Sequence, residues 1–306
     1  MRRSRKSSPL PVRNGVSPHS VLLPAGPWPT VLAFLCERFP QVAAQTWQQR
    51  MAAGEVVDAR GNALTPSQPY QPGQRVHYYR QVDAEIPVPF QETILFEDDH
   101  LLVVDKPHFL PTQPSGPFLQ ETLVTRLRRR LGNDALEPIH RLDRETAGLV
   151  LLSKQRDSRG RYQALFRDQQ ISKTYEAIAP FRPDLVFPLI RSSRIEVDEA
   201  FFRRCEVAGP ANAETRIELL EQQGAWARYR LQPSTGRTHQ LRVHMAALGI
   251  PIRQDPLYPQ DQQRALDDFS APLQLLAWEL SFRDPVSGEE RRFRTGLRLQ
   301  SPGGEA

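Results

Sequence analysis

His140-Arg141-Leu142-Asp143-Arg144-Glu145-Thr146-Ala147-Gly148, running straight into Leu149-Val150-Leu151-Leu152, is the stretch on which the reading of this chain turns. It sets the Asp143 carboxylate beside His140, Arg141 and Arg144 at the mouth of an apolar run. Nearby positive charge keeps a carboxyl ionised, and an ionised aspartate held in place can serve as nucleophile or base. The apolar run has the length of a buried strand. Gly148 permits close backbone approach at its entrance, and Thr146 can hydrogen-bond within the loop and fix its shape. His140 and Arg141 add donors that could hold a phosphate or position the carboxylate. Taken alone, Asp143 also reads as a loop aspartate capping a turn or paired with Arg144.

Three further blocks carry chemistry-bearing side chains. Gly236-Arg237-Thr238-His239-Gln240-Leu241-Arg242-Val243-His244 opens a helix expected over 238–248, with Thr238 as N-cap. Leu241, Met245 and Leu248 form its apolar stripe, and Gly249 closes it. Arg242 lies on another face, free to point into a cleft. His239 and His244 are one residue too far apart for a helical zinc pair, and no HExxH pattern accompanies them, so no metal site is expected. Lys173-Thr174-Tyr175-Glu176-Ala177 reads as strand. Val104-Asp105-Lys106-Pro107 ends another strand and reads as structural, holding a loop beside the cleft.

The chain has 306 residues, 39% of them hydrophobic, enough for a large domain and a small one. Two cysteines, Cys36 and Cys205, make no disulfide framework. No stretch approaches the roughly 20 apolar residues of a membrane span, and the basic N-terminus lacks the apolar core of a signal peptide. A reduced, cytoplasmic protein, monomeric by default, is the expectation. A net charge of +5 favours a polyanionic partner. Arg2, Arg3, Arg5 and Lys6 make a basic tail; Arg126, Arg128, Arg129 and Arg130 make a second cluster, read either as a solvated helix face or as phosphate contacts.

Residues 1–18 read as a basic, disordered tail and 19–82 as a small domain. In the latter, helices are expected over 31–39 and 46–53, with Thr46 capping the second, followed by strands around Gly61 and over 75–80. Residues 83–92, with Pro87 and Pro89, read as a linker. From 93 to 300, strands at 101–104, 149–152, 174–179, 215–220 and 225–231 and helices at 123–131, 161–166 and 238–248 show no regular strand–helix alternation. Strands follow strands late in the chain. The expectation is an α+β domain on a mixed, largely antiparallel central sheet flanked by helices.

The four blocks follow one another along the chain in the same order as in the RluA-type RNA pseudouridine synthases, whose HRLD-x-x-T-x-G signature carries a catalytic aspartate, and the resemblance covers about Thr93 to Leu297. The resemblance implies the pseudouridine synthase fold and conversion of uridine to pseudouridine in structured RNA, ribosomal or transfer, with no cofactor. It implies that Asp143 is the catalytic aspartate, that Arg242 is the basic residue paired with it, and that Tyr175 packs on the target uracil. It implies that Arg141 fills the space of the flipped nucleotide or contacts its phosphate, and that Leu241 belongs to a nearby apolar wall. His140, Thr146 and Arg237 complete the expected substrate-binding set. Two departures stand out: the family's Lys-Pro-x-Gly is here Lys106-Pro107-His108-Phe109, and its Gly-Asp is Gln254-Asp255. Both lie outside the catalytic blocks. Residues 19–82 also resemble the alpha-L RNA-binding fold, through Phe34-Leu35, Trp47-x-x-Arg50-Met51, Gly54-x-Val56 and Pro72-Gly73-x-x-Val76.

Two other readings compete. A non-catalytic RNA-binding or ribosome-assembly protein could keep the fold, but has no need of Asp143 and Arg242 together. A phosphotransferase is suggested by the likeness of His140-Arg141-Leu142-Asp143 to a kinase catalytic loop. Leu142 interrupts that pattern, and neither a Gly-rich phosphate loop nor D-F-G accompanies it.

Overall fold

The computed structural model describes residues 8–82, 84–200 and 202–303. The chain divides into two compact units between Glu85 and Ile86.

The smaller unit runs β1 (His19–Leu22), α1 (Val31–Arg38), α2 (Ala44–Ala52), β2 (Val56–Val57) and β3 (Arg75–Tyr78), with β3 central in an antiparallel three-stranded sheet. Thr30 caps α1 by accepting from the Ala33 N–H at 3.1 Å. The second helix begins two residues before the expected Thr46, and its cap position, Ala43, offers no side-chain acceptor. Trp47, Leu35, Phe34, Val76 and Tyr78 fill the core. Arg50 of α2 is buried over the Trp47 ring and bonded to Gln81. The basic residues 2–6 lie outside the described residues. Residues 11–16 depart from the expected disorder: Arg13 and Val16 bridge, and the Pro11 carbonyl accepts from the Tyr79 hydroxyl.

The larger unit contains β4 (Thr93–Glu97), β5 (Leu101–Lys106), α3 (Leu123–Leu131), β6 (Glu137–Pro138), β7 (Ala147–Ser153) and α4 (Arg156–Arg167). There follow β8 (Ile171–Pro180), β9 (Leu189–Val197), β10 (Arg204–Val207), β11 (Ala213–Gln223), β12 (Trp226–Pro233), α5 (Gln240–Ala247), β13 (Leu275–Arg283) and β14 (Glu290–Arg294). Its sheet runs β10-β9-β11-β12-β8-β13-β7-β5-β4, with β14 beside β13 and β6 beside β7. Among the described strands only β7 and β13 pair in parallel, so the expected α+β, largely antiparallel architecture stands.

Strand period two explains the layering. Along β7, Val150 and Leu152 join a core with Leu123 and Leu127 of α3, while Leu149 and Leu151 join one with Tyr162 and Leu165 of α4. The two helices therefore cover opposite faces of β5 and β7. In the other half-sheet, Ala227, Tyr229 and Leu231 of β12 pack with Leu241 and Met245 of α5. Tyr175 packs against both the α3 core and the α5 core, marking the seam between the two half-sheets.

Two expectations change here. Residues 86–92 are no linker: Val88 is buried in the α3 core, and the Val88 and Phe90 carbonyls accept from Arg126. Much of the arginine cluster on α3 is structural. Arg126 also pairs with Glu121 and Glu92, and Arg128 is buried against Glu137 and the Leu136 carbonyl. Arg129 and Arg130 remain exposed, Arg130 with Glu92 as partner.

Candidate active site

Asp143 sits in the loop between β6 and β7, on a turn closed by the Thr146 N–H donating to the Asp143 carbonyl at 3.2 Å. The preceding residue is clamped. The Thr112 hydroxyl donates to the Leu142 carbonyl at 2.8 Å and accepts from the Leu142 N–H at 3.1 Å. A buried lysine holds the other side: Lys106 Nζ donates to the carbonyls of Pro107, Leu110 and Arg144. Gly148 then lets β7 run against β13. Its φ is +109°, and a Cβ there would lie 2.3 Å from the Ala277 carbonyl oxygen.

The loop brings Asp143 to α5. Arg242, 1% exposed, points Nη1 at Asp143 Oδ2 at 3.4 Å, and His239 Nε2 stands 3.7 Å from the same oxygen. Oδ1 makes no hydrogen bond among the described residues. Arg242 is fixed from behind by Asp255, with Nε to Oδ2 at 2.8 Å and Nη2 to Oδ1 at 2.6 Å. Asp255 is fixed in turn by the N–H groups of Leu257 and Tyr258. His239 contacts the Tyr258 hydroxyl through Nδ1 at 2.9 Å.

The electrostatics follow. Burial pushes the Asp143 carboxyl up, but His239, Arg242 and Arg141 outweigh it and hold the group below the usual carboxylate range. Burial pulls the His239 imidazole down, and the Asp143 charge opposes that shift. Burial also works against the Arg242 charge, and the hydrogen bonds and charge of Asp255, with Asp143 and Glu145, more than restore it. Lys106 is pulled down to about 7 by burial, opposed by Glu145 and Asp143.

Residues 100–247 match the family described as RNA pseudouridylate synthase. A dual-specificity RNA pseudouridine synthase RluA from Haemophilus ducreyi is 33% identical over 218 residues, covering 68% of this chain and 93% of that protein. The chain belongs to the RluA-type RNA pseudouridine synthase family. Ribosomal large subunit pseudouridine synthase C of Vibrio cholerae is 32% identical, over 68% of this chain and 66% of its own. The solved structure of human RNA pseudouridylate synthase domain containing 4 superposes with a TM-score of 0.51 at 28% identity, covering 68% of this chain and 88% of that one.

Within this synthase, the structure brings some of the expected residues together and separates others. Tyr175 lies half-buried in the seam, close enough for the Asp143 charge to reinforce the upward push of burial on its phenol. Arg141 is exposed and, among the described residues, makes no hydrogen bond or ion pair, although its charge reaches Asp143. Leu241 is buried in the α5 core. His140 faces away: its Nε2 accepts from the Leu151 N–H at 3.1 Å and its ring stacks on Phe166. It serves the strand ladder, not the cluster. Arg237 is exposed but tied through Nε to the Asn212 carbonyl. Thr146 contributes its backbone to the turn.

Other residues of the cluster escaped the sequence. Asp255, read as outside the chemistry, is the main partner of Arg242. Helix α5 starts after His239, itself in the left-handed region at φ +58°, and not at Thr238. Gln240, not Thr238, organises the entry: its amide accepts from Thr235 and the Arg237 N–H and donates to the Glu214 carbonyl and Thr215. A buried arginine in search of a countercharge, with an aspartate 13 residues on, is the signal that could have found Asp255.

Proposed function

We propose that the protein isomerises uridines of structured RNA, ribosomal or transfer, to pseudouridine, with Asp143 as the catalytic aspartate. The reading is carried by one observation. Asp143 and Arg242, 99 residues apart, meet with a carboxylate oxygen and a guanidinium nitrogen 3.4 Å apart.

The reaction breaks the bond from ribose C1′ to uracil N1 and forms one from C1′ to C5. The C5 proton leaves to solvent and N1 takes one up, so nothing is oxidised or hydrolysed. An ionised carboxylate can add to ribose or base, or relieve positive charge at C1′. In each route the free Oδ1 is the acting atom, while Arg242 anchors Oδ2. Tyr175 offers a stacking face to the base, a contact of about 1–3 kcal/mol. Burial and the Asp143 charge both push its phenol up.

A uridine inside folded RNA must be flipped out to reach Asp143, at a cost of a few kcal/mol. Arg141, charged, exposed and without a hydrogen bond or ion pair among the described residues, would grip the flipped nucleotide's phosphate or fill its place. Release of tritium from 5-labelled uridine in RNA of a deletion strain tests the reading. The wild type should release it and Asp143→Asn should not. An active Asp143→Asn, or an inert wild type on that RNA, refutes it.

A further inference from the structure

Tyr258 lies behind the catalytic cluster and touches three of its supports. Its ring lies near two guanidinium groups, Arg242 at 5.3 Å and Arg203 at 5.2 Å from the centroid. Its backbone N–H helps hold Asp255. Its hydroxyl, on a side chain 4% exposed, meets the Arg204 N–H at 2.8 Å and His239 Nδ1 at 2.9 Å.

Hydrogen-bond accounting assigns direction to this chain. A phenol has one proton to give. The Arg204 N–H can only donate, so it occupies an oxygen lone pair. The buried phenolic proton must then find an acceptor or be left costly and unpaired. Among the described residues, His239 Nδ1 is the atom placed to accept it. A neutral imidazole that accepts at Nδ1 carries its proton on Nε2. That N–H is aimed at Asp143 Oδ2, 3.7 Å away, a separation of the kind that closes when a substrate completes the site.

We propose that Tyr258 is a positioning residue that fixes His239 as the Nε2–H tautomer, making a neutral imidazole the second donor to Asp143 Oδ2. The inference rests on Asp143 being the catalytic aspartate. Two donors on one oxygen orient the carboxylate and leave Oδ1 as the reacting atom. A neutral donor does so while adding no second cation to weaken the nucleophile. The Arg204 N–H belongs to the first residue of β10, so the chain of donors also ties that strand to the carboxylate.

Ring-nitrogen NMR of 15N-histidine-labelled protein, with the His239 signal assigned by His239→Gln, reads the tautomer directly. The expected spectrum has a bare Nδ1 and a protonated Nε2. Tyr258→Phe keeps the ring near its two arginines and removes only the hydroxyl. It should let the Nδ1–H form appear and lower kcat about tenfold with KM for RNA unchanged. His239→Gln, whose amide N–H reaches the position of Nε2, should retain more activity than His239→Asn, whose amide sits near Nδ1. A wild-type Nδ1–H spectrum, or Tyr258→Phe with unaltered tautomer and kcat, overturns the proposal. These failures are distinct from failure of the underlying reading, which an active Asp143→Asn would reveal.

Discussion

Arg242 and Asp255 form a two-pronged ion pair in which both side chains are 1% exposed, and Asp143 receives the one guanidinium nitrogen that this pair leaves over. The asymmetry has a physical sense. A guanidinium gripping a carboxylate through two parallel bonds is fixed in plane and direction. The Asp143 carboxylate therefore meets a cation already held still, and its own Oδ1 need not be used to hold it.

Asp255→Asn should accordingly damage both stability and rate. It leaves a buried guanidinium without its main countercharge, a change that costs about 3–5 kcal/mol in comparable buried pairs. Arg242 would then turn toward Asp143 as its remaining close carboxylate. Urea denaturation should show the loss of stability, and single-turnover kinetics at saturating RNA should show at least a tenfold slower chemical step. Wild-type values in both would remove Asp255 from the site.

Two half-buried histidines predict acid sensitivity. His108 is pulled down to about 4, chiefly by burial, with Lys106 adding to the shift and its bond to the Glu145 carbonyl opposing it. His140 is pulled down to about 3, by burial first and Lys173 second. In the unfolded chain both titrate near 6.5. Between about pH 6.5 and those folded values the unfolded state binds more protons, so stability falls as pH falls. The loss sums to a few kcal/mol. Urea midpoints should decline from pH 7.5 to 5. His108→Asn, which keeps a donor for the Glu145 carbonyl, should flatten that slope; an unchanged slope would contradict the assignment.

What the sequence made legible were features whose signal is local. The Asp143 loop, Tyr175 and Arg242 each sit in a short block of distinctive residues, β7 is a continuous apolar run, and β12 alternates as a strand with one packed face. Strands β9 and β14 escaped because their residues are charged and half-exposed, Leu189–Val197 and Glu290–Arg294. Strand β13 escaped because a register shift between Ala277 and Glu279 breaks its alternation. Asp255 and Tyr258 escaped for another reason. Their value comes from the side chains that tertiary packing sets against them, Arg242 and His239, and an irregular loop carries no periodicity to announce that. The arginines of α3 show the converse: a dense local charge signal that the fold largely absorbs into structural pairs.

Gly148→Ala should be among the most damaging conservative changes in the chain. The added methyl would lie 2.3 Å from the Ala277 carbonyl oxygen and 2.7 Å from its nitrogen, at a φ of +109° that L residues rarely adopt. Both contacts are with backbone, at the site where β7 and β13 pair in parallel, so no side chain can swing aside. A destabilisation of at least about 3 kcal/mol is expected. Thermal denaturation of the purified variant measures it; a near-native midpoint would mean that the two strands can part locally.

The two departures from the family pattern fall on left-handed backbone. Phe109 stands at φ +67° and Gln254 at φ +63°, each where the family has glycine. A side chain there costs about 1–2 kcal/mol that glycine avoids. Phe109 has compensation: it is buried in the α3 core, packs edge-on against Phe269 and lies under the Arg144 guanidinium. Gln254 has little, one bond of 3.2 Å from Gln274, whose amide keeps the Pro272 carbonyl as a second acceptor. Restoring glycine should therefore have opposite effects at the two positions. Gln254→Gly should raise stability, by up to about 1 kcal/mol once the greater freedom of glycine in the unfolded chain is subtracted. Phe109→Gly should lose several kcal/mol through the vacated core. Paired urea titrations decide the matter: a destabilised Gln254→Gly would show that the Gln274 contact, not backbone conformation, governs the residue beside Asp255.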